Sequence, residues 1–155
     1  HMFTNGNDSG SSLNSWLEDP KKYLNTVSTY EISAKGSRLN SDLSLEVTTS
    51  NLKNSDDSSD IRLFVAAVMA RVIYPGSFNG MYEHHNVVIE QLLGNSGKQI
   101  QYIANSDYME SFNWSIPQSW KNNSEIRWSA GNLKIVVWIQ DYRSKEILQS
   151  AEFKF

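Results

Sequence analysis

The chain has no cysteine in its 155 residues, which excludes a disulfide framework, a thiolate nucleophile and a cysteine-ligated metal within it. With 3 prolines and 8 glycines it is neither collagen-like nor a low-complexity linker. No apolar run approaches the length of about 20 residues that a spanning helix needs. An excess of positive charge is also missing. The 14 Lys and Arg stand against 17 Asp and Glu, for a net charge of −3, so no nucleic-acid partner is expected. Catalytic signatures are absent as well: there is no Gly-x-Ser-x-Gly elbow, no phosphate-cradling glycine loop and no dinucleotide fingerprint. Asp107 and Glu110 fall on an expected turn, a weak basis for glycoside hydrolysis. The expectation is a protein that is not an enzyme and uses no cofactor.

What is present is apolar alternation with a period of two, the mark of strands with one face buried. It is clearest in Leu133–Gln140, where Leu133, Ile135, Val137 and Ile139 share one face. A polar turn follows, and then Ile147–Phe155 sets Ala151, Phe153 and Phe155 against Ser150, Glu152 and Lys154. This reads as a hairpin whose second strand has a wet outer face. Leu43–Thr49 alternates strictly, with Leu43, Leu45 and Val47 inward. Thr26–Ala34 reads as an earlier strand closed by Lys35-Gly36-Ser37, and Ile61–Tyr74 as a long central strand covered on both faces.

Gly94–Lys98 is an expected turn, making a hairpin of the strands before it and at Gln99–Ala104. Phe112–Ile116 is a further strand, ended by Pro117. At the other end of the chain His1-Met2 resembles a cloning scar. Residues 3–12 read as loop, and Leu13–Leu24 as one or two helical turns, with Asp19-Pro20 supplying a start signal. The fold class implied is mainly β: a two-sheet antiparallel β-sandwich, immunoglobulin-like or jelly-roll-like, with a short N-terminal helical segment. The expected division is residues 1–25, scar, loop and helical remnant, and residues 26–155, the sandwich.

Three groups of residues invite a chemical reading. Asp56, Asp57 and Asp60 lie in one polar loop but lack the glycine and terminal glutamate of a dedicated calcium loop. His84 and His85 are adjacent and would point to opposite faces of a strand, so they make poor joint ligands. No metal is expected at either place. The third group is aromatic. Residues 105–131 hold Tyr108, Phe112, Trp114, Trp120 and Trp128, most of them expected in the core. Trp120 and Trp128, set among Lys121, Asn122, Asn123 and Arg127, are the candidates for exposed rings that stack on a glycan or anchor a protein. Tyr82 and His85 are the other candidate binding residues. The triplets Asn113-Trp114-Ser115 and Asn122-Asn123-Ser124 have the glycosylation pattern but arise often by chance.

One phrase resembles a known family. Val136-Val137-Trp138-Ile139-Gln140-Asp141, a turn, and Lys145-Glu146-Ile147-Leu148-Gln149-Ser150-Ala151 is similar to the C-terminal signature of the twenty-eight-kilodalton outer-membrane lipoprotein family of Bacteroidetes. His85-Asn86-Val87-Val88 resembles that family's His-x-Val-Val segment, with Glu90 where an arginine is common. Phe3-Thr4-Asn5-Gly6 followed by Trp16 resembles the end of the thioredoxin-like domain that often precedes the sandwich.

The resemblance implies a C-terminal sandwich of a larger exported protein, located in the cell envelope at the outer membrane or cell surface. It implies an adhesion or receptor role, with any membrane attachment through an anchor outside this chain. Two functions follow as expectations. One is a non-catalytic accessory domain binding protein or glycan through loops at one end of the sandwich. The other is a positioning domain for an extracytoplasmic thiol-disulfide oxidoreductase whose cysteines lie outside this chain.

Overall fold

Two antiparallel sheets face one another across the apolar stripes read above. The computed structural model describes residues 3–4, 7–8, 21, 26–53, 60–78, 80–103 and 106–154. The short pair β1 (Phe3–Thr4) and β2 (Asn7–Asp8) stands apart. The smaller sheet has the order β3 (Tyr30–Leu39), β4 (Asp42–Asn51), β8 (Tyr108–Ser115). The larger runs β10 (Ile147–Phe153), β9 (Leu133–Asp141), β5 (Ile61–Ile73), β6 (Glu83–Gln91), and the two-residue β7 (Lys98–Gln99) also pairs with β5. Of the expected N-terminal helical segment, only Lys21 is described, in helical conformation, and Asp56, Asp57 and Phe155 also lie outside the described residues.

Burial follows the period of two. Leu43, Leu45 and Val47 of β4, Leu63, Val65, Ala67 and Met69 of β5, and Leu133, Ile135, Val137 and Ile139 of β9 form one buried cluster. Strand β5 is also covered on its other face. Phe64, Ala66 and Val68 are all at most 4% exposed, and the Phe64 ring stacks on Trp138 with centroids 4.9 Å apart and planes 4° from parallel. A central strand dry on both faces explains why its middle, Leu63–Met69, is apolar throughout rather than alternating.

The open sides of the sandwich are laced by side chains. On one, Ser28 Oγ donates to the Leu148 carbonyl at 2.9 Å, and Gln149 Nε2 donates to the Tyr30 carbonyl at 3.0 Å. On the other, the Glu110 carboxylate accepts from Lys98 Nζ and from the Tyr108 hydroxyl, each at 2.6 Å. Burial acts to raise the Glu110 carboxyl, but these two donors outweigh it and hold the group below the ordinary range. Asp107 accepts from Ser50 Oγ, so the two acids engage different partners.

Two expectations about chain path are corrected. Strand β3 is not closed at Lys35-Gly36-Ser37. It continues to Leu39, with Gly36 opposite Leu45, and turns at Asn40, whose φ is 55°. An edge strand tolerates glycine on its ladder, and Asn adopts the left-handed turn conformation at little cost. Gly94–Lys98 does not fold the chain back into a hairpin either. β6 and β7 both run antiparallel to β5, with Gln91 opposite Ala66 and Gln99 opposite Arg62. The intervening residues are therefore an excursion, after which the chain resumes its direction along the same side of β5. Gln99 ends the strand.

One buried hydroxyl pair gives a pH-dependent expectation. The Tyr102 hydroxyl donates to Thr49 Oγ1 at 2.9 Å, and Thr49 is fully buried. Burial is the main cause that pushes the Tyr102 phenol up to about 12, although its bond to Thr49 acts the other way. An acid whose folded value lies above its unfolded value of about 10 stabilises fully below pH ~10 and loses that contribution as pH rises through ~12. Denaturant melts at about pH 9 and about pH 11.5 should show the native protein losing ~1–2 kcal/mol more than Tyr102→Phe across that interval. Equal losses in the two proteins would remove Tyr102 as the cause.

Candidate functional site

The sequence candidates converge on one end of the sandwich. β5 finishes there at Ile73 and β6 begins at Glu83, and residues 74–78 and 80–82 lie at that end of the larger sheet. The connection between β8 and β9 reaches the same place, because Ile73 and Arg127 exchange backbone hydrogen bonds at 2.9 and 2.8 Å. The β3–β4 turn joins them: Ile116 N–H donates to the Ser41 carbonyl at 3.0 Å, and the Arg38 guanidinium donates to the Ala130 carbonyl.

Pro117 cannot donate to the ladder of β8 and its φ suits a helix start, so it ends the strand and introduces α1 (Gln118–Lys121). Trp120 lies in α1, and Trp128 follows on the way to a single 3-10 turn at Ala130–Asn132. The two indoles, candidates for exposed rings, are only partly exposed. Both are half-buried against the hydrophobic core, and Trp128 Nε1 donates to the Trp120 carbonyl at 3.1 Å. The Trp128 indole thus has both an apolar bed and a partner for its N–H within the fold.

Tyr82 and His85 are exposed as a binding role requires. Tyr82 is 60% exposed while its carbonyl accepts from Tyr74 N–H at 2.8 Å. Beside it, Arg71 Nε and Nη2 grip the two Glu83 carboxylate oxygens at 2.8 and 3.0 Å, and His85 Nε2 lies 3.0 Å from Glu83 Oε1. The Arg71 bonds are the chief cause holding the Glu83 carboxyl below its usual range. His84 pairs across to buried Val72, whereas His85 pairs to exposed Arg71. The two imidazoles therefore occupy different surroundings, and His84 Nε2 is buried without a protein partner. Among the described residues no group of three His, Asp or Glu side chains is placed to hold a metal ion.

Two prominent residues of this end were not singled out from sequence. Phe78 is fully exposed and Met81 is 58% exposed. The signal was available. A phenylalanine between Pro75-Gly76 and Asn79-Gly80 sits where turn residues leave no strand or helix to carry it inward. The Tyr74 ring packs on Gly76 so closely that a Cβ there would lie 3.2 Å from it. Elsewhere, the outer face of the smaller sheet carries a shallow groove of about 310 Å³ lined by Ser37, Asp42, Ser44, Asn113 and Ser115 among others. Leu39, Leu43 and Trp114 complete its lining, so its hydrogen-bonding groups lie beside an indole.

No family model matches the chain, and neither does any curated protein. Solved structures with the same fold include a domain of the outer membrane lipoprotein Omp28 from Porphyromonas gingivalis, with a TM-score of 0.57 and 14% identity over 84% of this chain and 90% of that one. They also include HBP35 of Porphyromonas gingivalis, with a TM-score of 0.67 and 10% identity over 94% of this chain and 47% of that one. The chain thus spans just under half the length of HBP35. The resemblance read from the C-terminal phrase is matched by a common fold.

Proposed function

We propose that this sandwich is a non-catalytic accessory domain of the cell envelope, at the outer membrane or cell surface, that binds a protein or glycan partner through the loops at one end. The observation that carries this reading is the gathering of exposed Phe78, Met81 and Tyr82 with the His85–Glu83–Arg71 cluster at that end. Aromatic and methionine side chains held in water on a turn are typical anchors for recognition. The fold shared with an outer membrane lipoprotein domain supports the envelope setting.

A glycan array and a pull-down from envelope extracts, each run with native protein and with the Phe78→Ala/Tyr82→Ala variant, test the reading. The variant should keep its melting temperature and lose about tenfold or more in affinity for whatever the native protein retains. Trp120→Ala and Trp128→Ala should instead lower stability by ~2–4 kcal/mol, because their rings are packed. Blank screens with the native protein, or binding lost only with the tryptophan variants, would count against it. A second reading, a positioning domain for a thiol-disulfide enzyme carried elsewhere in a longer protein, rests on the resemblance of Phe3-Thr4-Asn5-Gly6 and Trp16 to the end of a thioredoxin-like domain. Equal disulfide-exchange rates with and without the sandwich would dismiss that reading.

A further inference from the structure

The outer face of the larger sheet holds a dry strip that the sheet alone does not account for. Phe64, Ala66 and Val68 of β5 lie outside the interior cluster, yet they are 4%, 2% and 4% exposed. Opposite them on β9 stand Trp138, Val136 and Lys134. The first two are half-buried, and the Lys134 side chain is only 12% exposed. Neighbours in the plane of a sheet flank a side chain without roofing it. The strip is also narrow. Beyond it, Val88 of β6, opposite Val68, is 53% exposed, and Ser150 and Glu152 of β10, opposite Trp138 and Val136, are exposed as well. Two strands at a spacing of about 4.8 Å make a strip roughly 10 Å wide, the breadth of one helix with its side chains. From Phe64 to Val68 it runs about 14 Å.

The roof comes from this chain, since the strip is dry with one chain present. The described loops are placed elsewhere: Gly97 and Tyr142 lie at the Phe64 end, and Trp120, Ile126 and Trp128 pack on the interior cluster. Of the stretches outside the described residues, 54–59 holds only Asn, Ser and Asp, and 1–2, 5–6, 79, 104–105 and 155 are too short. That leaves 9–20 and 22–25. They carry Leu13, Trp16, Leu17 and Leu24 at helical spacing, with Ser15, Glu18 and Lys22 on the opposite side of such a helix. Lys21 between them is helical and exposed. At about 1.5 Å per residue, residues 13–24 as a helix measure ~18 Å, enough to cover the strip. The chain also leaves from a suitable edge. Ser28 Oγ donates to the Leu148 carbonyl of β10, and the steps from Leu24 to Ser28 span up to about 14 Å, which carries Leu24 from that edge onto β9.

We infer that residues 13–24 form an amphipathic helix seated along the outer face of the larger sheet, over β5 and β9, with Leu13, Trp16, Leu17 and Leu24 turned to the dry strip. This makes them a third layer of the sandwich rather than a remnant outside it. No residue of the loop end takes part, so the function proposed above stands or falls on its own tests.

Two experiments on the full chain test the inference. Benzoylphenylalanine in place of Trp16, irradiated in a mixture of isotope-labelled and unlabelled chains, should cross-link within one chain to peptides of β5 or β9. Cross-links to the smaller sheet or the loop end, cross-links between chains, or none at all would overturn it. Because the chain has no native cysteine, Val68→Cys and Val65→Cys report separately on the outer and inner faces of β5. Thiol labelling of the native state at Val68→Cys should rise about tenfold or more when Trp16→Ser and Leu17→Ser are added, while Val65→Cys stays protected. Unchanged protection at Val68→Cys would also overturn the inference. Opening of both thiols together would show that the serine pair unfolds the whole sandwich, and the cross-link from position 16 then decides.

Discussion

Gly97→Ala should lower the stability of the sandwich by about 3 kcal/mol, and Gly94→Ala by about half as much. Both glycines have positive φ, 64° and 72°, so each replacement carries the left-handed penalty of roughly 1–2 kcal/mol. Their surroundings differ. Nothing lies within 4 Å of a Cβ added at Gly94, whereas one added at Gly97 would sit 2.8 Å from the Leu63 carbonyl oxygen and 2.8 Å from the Phe64 ring. Neither neighbour can give way cheaply. The Leu63 backbone lies in the centre of the larger sheet, paired with Ile139 on one side and Lys98 on the other. The Phe64 ring is stacked on Trp138, with the Tyr142 ring 6.4 Å away, and Tyr142 is itself covered by Arg62 at 3.7 Å and Lys145 at 3.3 Å. Urea melts of the two variants and of Gly80→Ala, which shares the strained φ and the open space, separate strain from collision. If Gly97→Ala costs no more than the other two, close packing of the excursion onto β5 is not what holds it.

That close packing is also why part of the chain path was hidden from the sequence. Periodicity reports which face of a strand is dry, and it read β4, β5 and β9 correctly because each has a buried stripe: Leu43, Leu45, Val47; Leu63, Val65, Ala67, Met69; Leu133, Ile135, Val137, Ile139. It does not report which strand a turn leads back to. Gly94 and Gly97 look like a hairpin turn in isolation, and only the backbone of β5 across from them decides that β7 extends the path of β6. Gly36 is a similar case, since its place opposite Leu45 is set by the neighbouring strand rather than by its own propensity.

At the loop end, Tyr82 and His85 were legible as candidate binding residues, and both are exposed. The partial burial of Trp120 and Trp128 against the core was not legible in their own stretch. The same limit applies to Phe78. Local sequence offers it nothing to pack on, yet only the assembled end shows that nothing distant covers it either.

Ile139→Ala should cost about 3–4 kcal/mol, and Ile147→Ala in the same hairpin less than about 1 kcal/mol. Ile139 is fully buried between Leu63 and Gln149 on the adjacent strands, so its truncation leaves a cavity that flanking ladders cannot close. Ile147 is 39% exposed at the start of β10, where solvent fills the space. For a chain of this length the larger loss corresponds to a fall of roughly 10 °C in melting temperature, taking ~2–4 °C per kcal/mol.

A matched pair on β5 then asks whether the second face of the larger sheet contributes as much as the first. Val65 points into the interior at 1% exposure, and Val68 lies on the opposite face at 4%. A sheet with one wet side would make Val68→Ala nearly free, whereas a sheet buried on both sides predicts losses for the two alanine variants within about 1 kcal/mol of each other. Calorimetry on the pair distinguishes these cases. A cheap Val68→Ala would mean that the stacked Phe64 and Trp138 cover only their own end of the strand, leaving the middle of that face without the support its burial implies.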